Sequence, residues 1–210
     1  MSPALSIDHA AGRRTQILDA ALLCFSSKGF HASTMHDISS QAGISVGLIY
    51  RYFENKEAVI SAMADRHKRE ISEVLQRAKQ APTLLESLEI LFTAHCCEEE
   101  TGVVSAFVVD LYSEASRNPR VADLVRDVLE TAMVGVTELI SKAPEAQNTT
   151  RGLLPIELAE LIFAVARGML MLDVLRPQEM TAAERRERQL QVTRRLWSCL
   201  FKPEAELAYA

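Results

Sequence analysis

Two tyrosines, an arginine and a lysine crowd into one short stretch at Tyr50, Arg51, Tyr52 and Lys56. Their combined chemistry is that of a polyanion contact. An arginine can grip the O6 and N7 atoms of guanine with two parallel N–H bonds, the commonest base-specific contact to a duplex. Tyrosine hydroxyls and a lysine ammonium have the reach for phosphate oxygens, which position a protein on the helix but carry no base information. Ser45, Val46, Gly47 and Leu48 stand just upstream. Of these, Val46 and Leu48 have only a thymine methyl to meet. Thr34, with the helix N-terminus it can cap, makes a further anion site.

Such side chains read DNA only when short helices present them, and residues 34–59 (TMHDISSQAGISVGLIYRYFENKEAV) have that pattern. Thr34 is placed as the N-cap of a helix over about 35–42, with Asp37 favouring its N-terminus. Gly43 breaks it. Ser45 then caps a second helix over about 46–52, and Asn55 caps a long one over about 56–79. Two short helices joined by a glycine-containing turn make a helix-turn-helix. Ile38 and Ala42 must face inward for the helices to cross. Ile49 and Phe53 anchor the second helix, which leaves Ser45, Val46, Gly47, Leu48, Tyr50, Arg51 and Tyr52 free to enter a major groove. Upstream, Ile17, Ala20, Ala21, Cys24 and Phe25 mark an amphipathic helix over 13–28, with Gly29 at its C-terminal cap and residues 1–12 as a flexible arm.

The run T-x-x-D-I-x-x-x-A-G-I-S-x-G-x-I-Y-x-Y-F-x-N-K-E, from Thr34 to Glu57, resembles the signature of the tetracycline-repressor (TetR-type) family, and residues 13–60 are similar to its DNA-binding domain. Leu48 departs from it, standing where many members carry a small or hydroxylated residue. The resemblance implies an all-α, nine-helix homodimer. Its first three helices, within 13–58, would bind double-stranded operator DNA. Its remaining helices, 59–202, would bind a small-molecule effector and dimerise, leaving 203–210 as a tail. The operator would then be a pseudo-palindrome.

The remainder of the chain keeps a helical rhythm, with further helices expected near 82–100, 103–116, 119–142, 155–175 and 182–201, and a breaker-rich loop over 142–154. Pro82, Pro119 and Pro155 suit first-turn positions, Asn118 can cap, and Thr181 with Glu184 forms a capping box. The helix over 155–175 is apolar nearly all round, so it is buried on several sides or meets a symmetry mate, and Ala164 and Gly168 allow close approach. By resemblance, this helix and the last would form the dimer interface. Leu88, Phe92, Phe107, Leu111, Met133, Phe163 and Met169 are pocket candidates, and each also reads as ordinary core. Arg167, inside an apolar helix, needs a partner. Asp110, Glu114 or an anionic group of the effector would serve.

Composition excludes several classes. Half of the residues or a little less (48%) are hydrophobic and 24% are charged, which suits a soluble globular chain. Net charge is −5, so the whole molecule is not a nucleic-acid coat. Residues 1–70 nevertheless hold eight basic against seven acidic groups, and the rest fifteen against twenty-one. The apolar stretch 155–175 is interrupted by Glu157, Glu160, Arg167 and Asp173, too many charges for a membrane span. The opening MSPALSIDHAAGRR lacks the charged head and apolar run of a signal peptide, so a cytoplasmic location is expected. His95-Cys96-Cys97 with Glu98, Glu99 and Glu100 matches no structural zinc spacing, and the glutamates oppose a reactive thiolate. No metal, cofactor or catalytic residue is expected: there is no nucleophile motif and no phosphate-binding glycine loop.

Overall fold

The computed structural model describes residues 3–96, 101–147, 152–175 and 181–201. They form α1 (Pro3–Lys28), α2 (Met35–Gln41), α3 (Val46–Tyr52), α4 (Lys56–Ala78), α5 (Leu84–Cys96), α6 (Thr101–Ala115), α7 (Pro119–Lys142), α8 (Pro144–Gln147), α9 (Pro155–Leu175) and α10 (Ala182–Leu200). Among the described residues there is no strand. The fold is all-α: nine longer helices, with α8 as a single turn in the segment expected to be loop.

The caps explain most of the boundaries. Thr34 and Asp37 close a reciprocal capping box on α2, and Thr181 and Glu184 do the same on α10. The Ala58 N–H donates to Asn55 Oδ1 at 2.8 Å to start α4, and the Arg120 N–H donates to Asn118 Oδ1 at 3.2 Å to start α7. Three starts differ from expectation, the slightest being α6, which opens at Thr101 where 103 was expected. α5 opens at Leu84, because Thr83 Oγ1 accepts the Glu86 N–H at 3.2 Å and a hydroxyl cap outranks Pro82 as a start signal. α1 begins at Pro3, so the segment expected to be a flexible arm is helical; it is rich in alanine, and proline suits a first turn.

Packing divides the chain into two compact units, Met1–His67 with Gly102–Arg126, and Lys68–Thr101 with Asp127–Ala210. The single cut expected after residue 58 is therefore not where the packing divides, since α6 packs with the N-terminal helices. The first unit has its own core of Ile17, Ala21, Phe25, Phe30, Ile38, Ile49, Phe53, Val59 and Met63, joined by Val121. The second buries Leu84, Leu88, Val136, Ile140, Leu158, Ile162 and Trp197, with α5 lying against α9 and α10. Arg194 of α10 grips Glu89 of α5 with two N–H bonds of 2.7 and 3.0 Å. α9 is buried on one side only, through Leu158, Ala159, Ile162 and Leu170.

Candidate nucleic-acid interface

Sequence dictates the crossing of α2 and α3 almost residue by residue. Ile38 and Ile49 are fully buried, with Ala42 and Phe53 beside them in the first core. Gly43 adopts φ +64°, the left-handed conformation that a side chain makes costly, and so turns the chain sharply between the helices. Ser45 then accepts the Leu48 N–H on its hydroxyl at 3.2 Å, starting α3. At the other end, Lys28 pairs with Asp37 at 2.6 Å. The Lys28 ammonium first, then the Thr34 hydroxyl and amide, hold the Asp37 carboxyl well below the usual carboxylate range. A fixed negative charge thus sits on the first turn of α2, where the helix dipole favours it.

The outward face of α3 carries Ser45, Val46, Gly47, Tyr50 and Arg51, all exposed. Thr34 is exposed too, with its hydroxyl engaged by Asp37 at 2.6 Å. Leu48 is half-buried. Tyr52, expected on the same free face, is half-buried and packs against the first core. Lys56 departs furthest from expectation. Its ammonium donates to the carbonyls of Phe30, His31 (3.2 Å) and Ser33 (3.0 Å) and lies 4.4 Å from the centre of the Phe30 ring. Burial pushes its pKa down. An ammonium has three N–H donors, and here all three directions meet backbone carbonyls, so Lys56 is built into the scaffold and not aimed at phosphate.

Two α1 residues that sequence reading passed over also position this pair. Gln16 Nε2 donates to the Ala42 carbonyl at 2.6 Å, closing the C-terminal end of α2. The Arg14 guanidinium lies 4.5 Å from the centre of the Phe53 ring and donates to the Tyr52 carbonyl at 3.3 Å, a cation at the C-terminal end of α3. The only sequence signal was their place on the polar flank of α1. The loop between α1 and α2 is held as well. Asp110 of α6 accepts the Phe30 N–H at 2.7 Å, and the buried Glu114 accepts from Asn118 Nδ2 at 2.9 Å, with its other carboxylate oxygen 2.7 Å from His31 Nε2.

The eight pocket candidates do not gather into one cluster. Phe107 and Leu111 pack on the first core, with the Phe107 ring stacked on Phe25 at 6.2 Å between centroids. Leu88, Met133 and Phe163 belong to the second core, and Phe92 and Met169 sit together with Ala166 and Leu190. Arg167 is half-buried on α9. Asp110 and Glu114, two of the alternative partners expected for it, serve the α1–α2 loop as just described. Among the described residues no group of His, Cys, Asp and Glu is gathered to hold a metal ion. The His95-Cys96-Cys97 run and its glutamates lie outside the described side chains. No described helix is long and apolar enough to cross a membrane.

Residues 17–63 match the family described as bacterial regulatory proteins, tetR family. The chain is 30% identical over 138 residues to the HTH-type transcriptional regulator UidR of Escherichia coli K12, a match covering 64% of this chain and 65% of that protein, just under two thirds of its length. It is 25% identical over 142 residues to the nicotine-responsive transcriptional repressor HdnoR of Paenarthrobacter nicotinovorans, covering 66% of this chain and 72% of that protein. Its fold matches that of the fatty acid degradation regulator FadR of Bacillus halodurans with a TM-score of 0.73 at 20% identity, over 87% of this chain and 94% of that one. The FadR of Bacillus subtilis solved with stearoyl-CoA gives 0.70 at 20% identity, over 85% and 96%.

Proposed function

We propose that this chain, whose residues 17–63 match the tetR family of bacterial regulatory proteins, is a ligand-responsive transcriptional regulator that binds a pseudo-palindromic operator as a homodimer. The observation that carries this is the face of α3. Five successive or near-successive residues, Ser45, Val46, Gly47, Tyr50 and Arg51, are exposed on a helix whose only fully buried side chain is Ile49. A seven-residue helix held by so little, after a left-handed turn, is a presentation device. In this reading Arg51 meets a guanine edge and Tyr50 and Thr34 meet phosphate. Lys56, Arg14 and Gln16 hold the pair in place, and Tyr52 does so with its ring.

Two copies would join through α9 and α10. Leu161, Met171, Leu172 and Leu175 of α9 and Val192 of α10 are exposed in the single chain, an apolar surface of the kind that marks an interface. The effector is a small, largely apolar molecule bound within the second half of the chain. Relatives give this class its support: HdnoR is nicotine-responsive and a FadR has been solved with stearoyl-CoA. The ligand releases DNA only by as much as it prefers the conformation that does not bind, so tenfold release needs about 1.4 kcal/mol of preference. The protein acts by binding and not by catalysis, in the cytoplasm where its operator lies.

Selection of fragments from the source genome with the purified protein, followed by footprinting at two salt concentrations, tests the reading. The expected result is a protected pseudo-palindrome whose affinity falls steeply with salt. Recovery of no preferred fragment, from protein refolded to remove any bound effector, would refute it.

A further inference from the structure

We infer that Asp110, on α6 and outside residues 17–63, is a positioning residue for operator binding that acts through the α1–α2 loop; the inference rests on the reading of α2 and α3 as the DNA reader.

α1 ends at Lys28 and Thr34 caps α2, so residues 29–33 are the link that leads the chain into the reading pair. Gly29 reverses the chain at φ +82°. Its N–H still closes on the Phe25 carbonyl at 2.9 Å, and its own carbonyl accepts the Ser33 N–H at 3.2 Å. The Phe30 ring is buried edge-on against Phe25, 5.3 Å between centroids. The polar groups of the loop are then gripped from two directions. Lys56 gathers three of its carbonyls. From α6, Asp110 Oδ2 accepts the Phe30 N–H at 2.7 Å, and the other carboxylate oxygen lies so near Gly29 that a Cβ there would sit 3.3 Å from it. One turn further along α6, a carboxylate oxygen of Glu114, only 2% exposed, lies 2.7 Å from His31 Nε2.

A hydrogen bond to a carboxylate is shorter and stronger than a neutral one, and two opposed grips make a loop position discrete. Contacts to base edges need that discreteness, since a recognition group must sit within about 0.5 Å of its productive place. Phosphate contacts are more forgiving because they are largely electrostatic. Loosening the loop should therefore cost sequence discrimination before it costs overall affinity, which loss of folded protein alone would not do.

The test is anisotropy titration of two labelled duplexes, the fragment selected by the wild type and a scrambled duplex of equal length and composition. Thermal melts establish that each variant is folded at the assay temperature. Asp110→Ala is expected to weaken the selected fragment about tenfold while the scrambled duplex changes by less than about twofold. Asp110→Asn, which keeps an oxygen to accept the Phe30 N–H, should restore most of the ratio. If Asp110→Ala does not fold, Asp110→Leu fills the same space without an acceptor and carries the comparison. A discriminating wild type whose acceptor-free variant keeps the same ratio would overturn the inference alone. A wild type that prefers neither duplex would overturn the functional reading and this inference with it.

Discussion

Arg51 and Lys56 carry like charge five positions apart, yet the structure gives them opposite surroundings. Arg51 is exposed on the open face of α3, while Lys56 faces three carbonyls of the α1–α2 loop. Arg51→Ala should cost roughly 1–3 kcal/mol on the preferred operator and relax specificity at one base position, measured by titrating single-base variants of the site. Lys56→Met should act on the fold. Three carbonyls lose a charged donor, so denaturant unfolding should show a loss of about 1–3 kcal/mol, with the salt slope of DNA binding unchanged in the folded fraction. A slope reduced by about one would return Lys56 to the phosphate contacts. Sequence could not separate the two, because the carbonyls that occupy Lys56 lie 23 to 26 residues upstream. A lysine beside a helix start looks the same whether it faces phosphate or a folded loop.

Helix by helix, the boundaries were legible because local chemistry sets them: hydroxyl and amide caps at Thr34, Ser45, Asn55, Asn118 and Thr181 fall where the chain needs them. Ser45→Ala should lower stability by about 1 kcal/mol in denaturant unfolding and weaken DNA binding by loosening α3 at its contact end. What pairs with what was less legible. That α6 packs with the reading helices depends on Phe107, Leu111, Asp110 and Glu114 meeting residues some eighty positions earlier, and periodicity reports only that a helix has an apolar side. Glu138 is a similar case in the second unit. It takes Lys142 at 2.6 Å and Lys79, just past the end of α4, at 3.0 Å, and these partners, Lys142 foremost, draw its pKa to about 2. Because the folded value lies below the ordinary 4.5, the support it lends is present above that value and is lost as pH falls toward 2. Melting curves of wild type and Glu138→Gln should differ at neutral pH, modestly because the pair is exposed, and converge in acid. A gap that persists undiminished in acid would show that packing, not charge, separates them.

For the whole molecule, the proposed two-fold assembly depends on a surface that a single chain leaves open. Leu161, Ala164, Gly168, Met171 and Leu175 follow one another along α9 at alternating spacings of three and four, the seam a partner helix fits. Leu161 is 39% exposed, Met171 53% and Leu175 78%, and a Cβ at Gly168 would meet nothing within 4 Å. None of these side chains is needed to close the second core, which is built from the opposite side of α9. Leu161→Glu with Met171→Glu should therefore leave the protomer folded while placing two carboxylates on each side of a two-fold seam. Sedimentation equilibrium should then report monomers at micromolar concentration. Affinity for the full pseudo-palindrome should fall by a factor of about a hundred or more, because the second half-site no longer gains from the first. The salt slope should fall to about half, since each protomer brings only its own phosphate contacts. A double variant that stays dimeric would move the interface away from this seam. One that becomes monomeric yet keeps the affinity and slope of the wild type would show that a single α3 suffices, and that the two-fold operator is the wrong geometry.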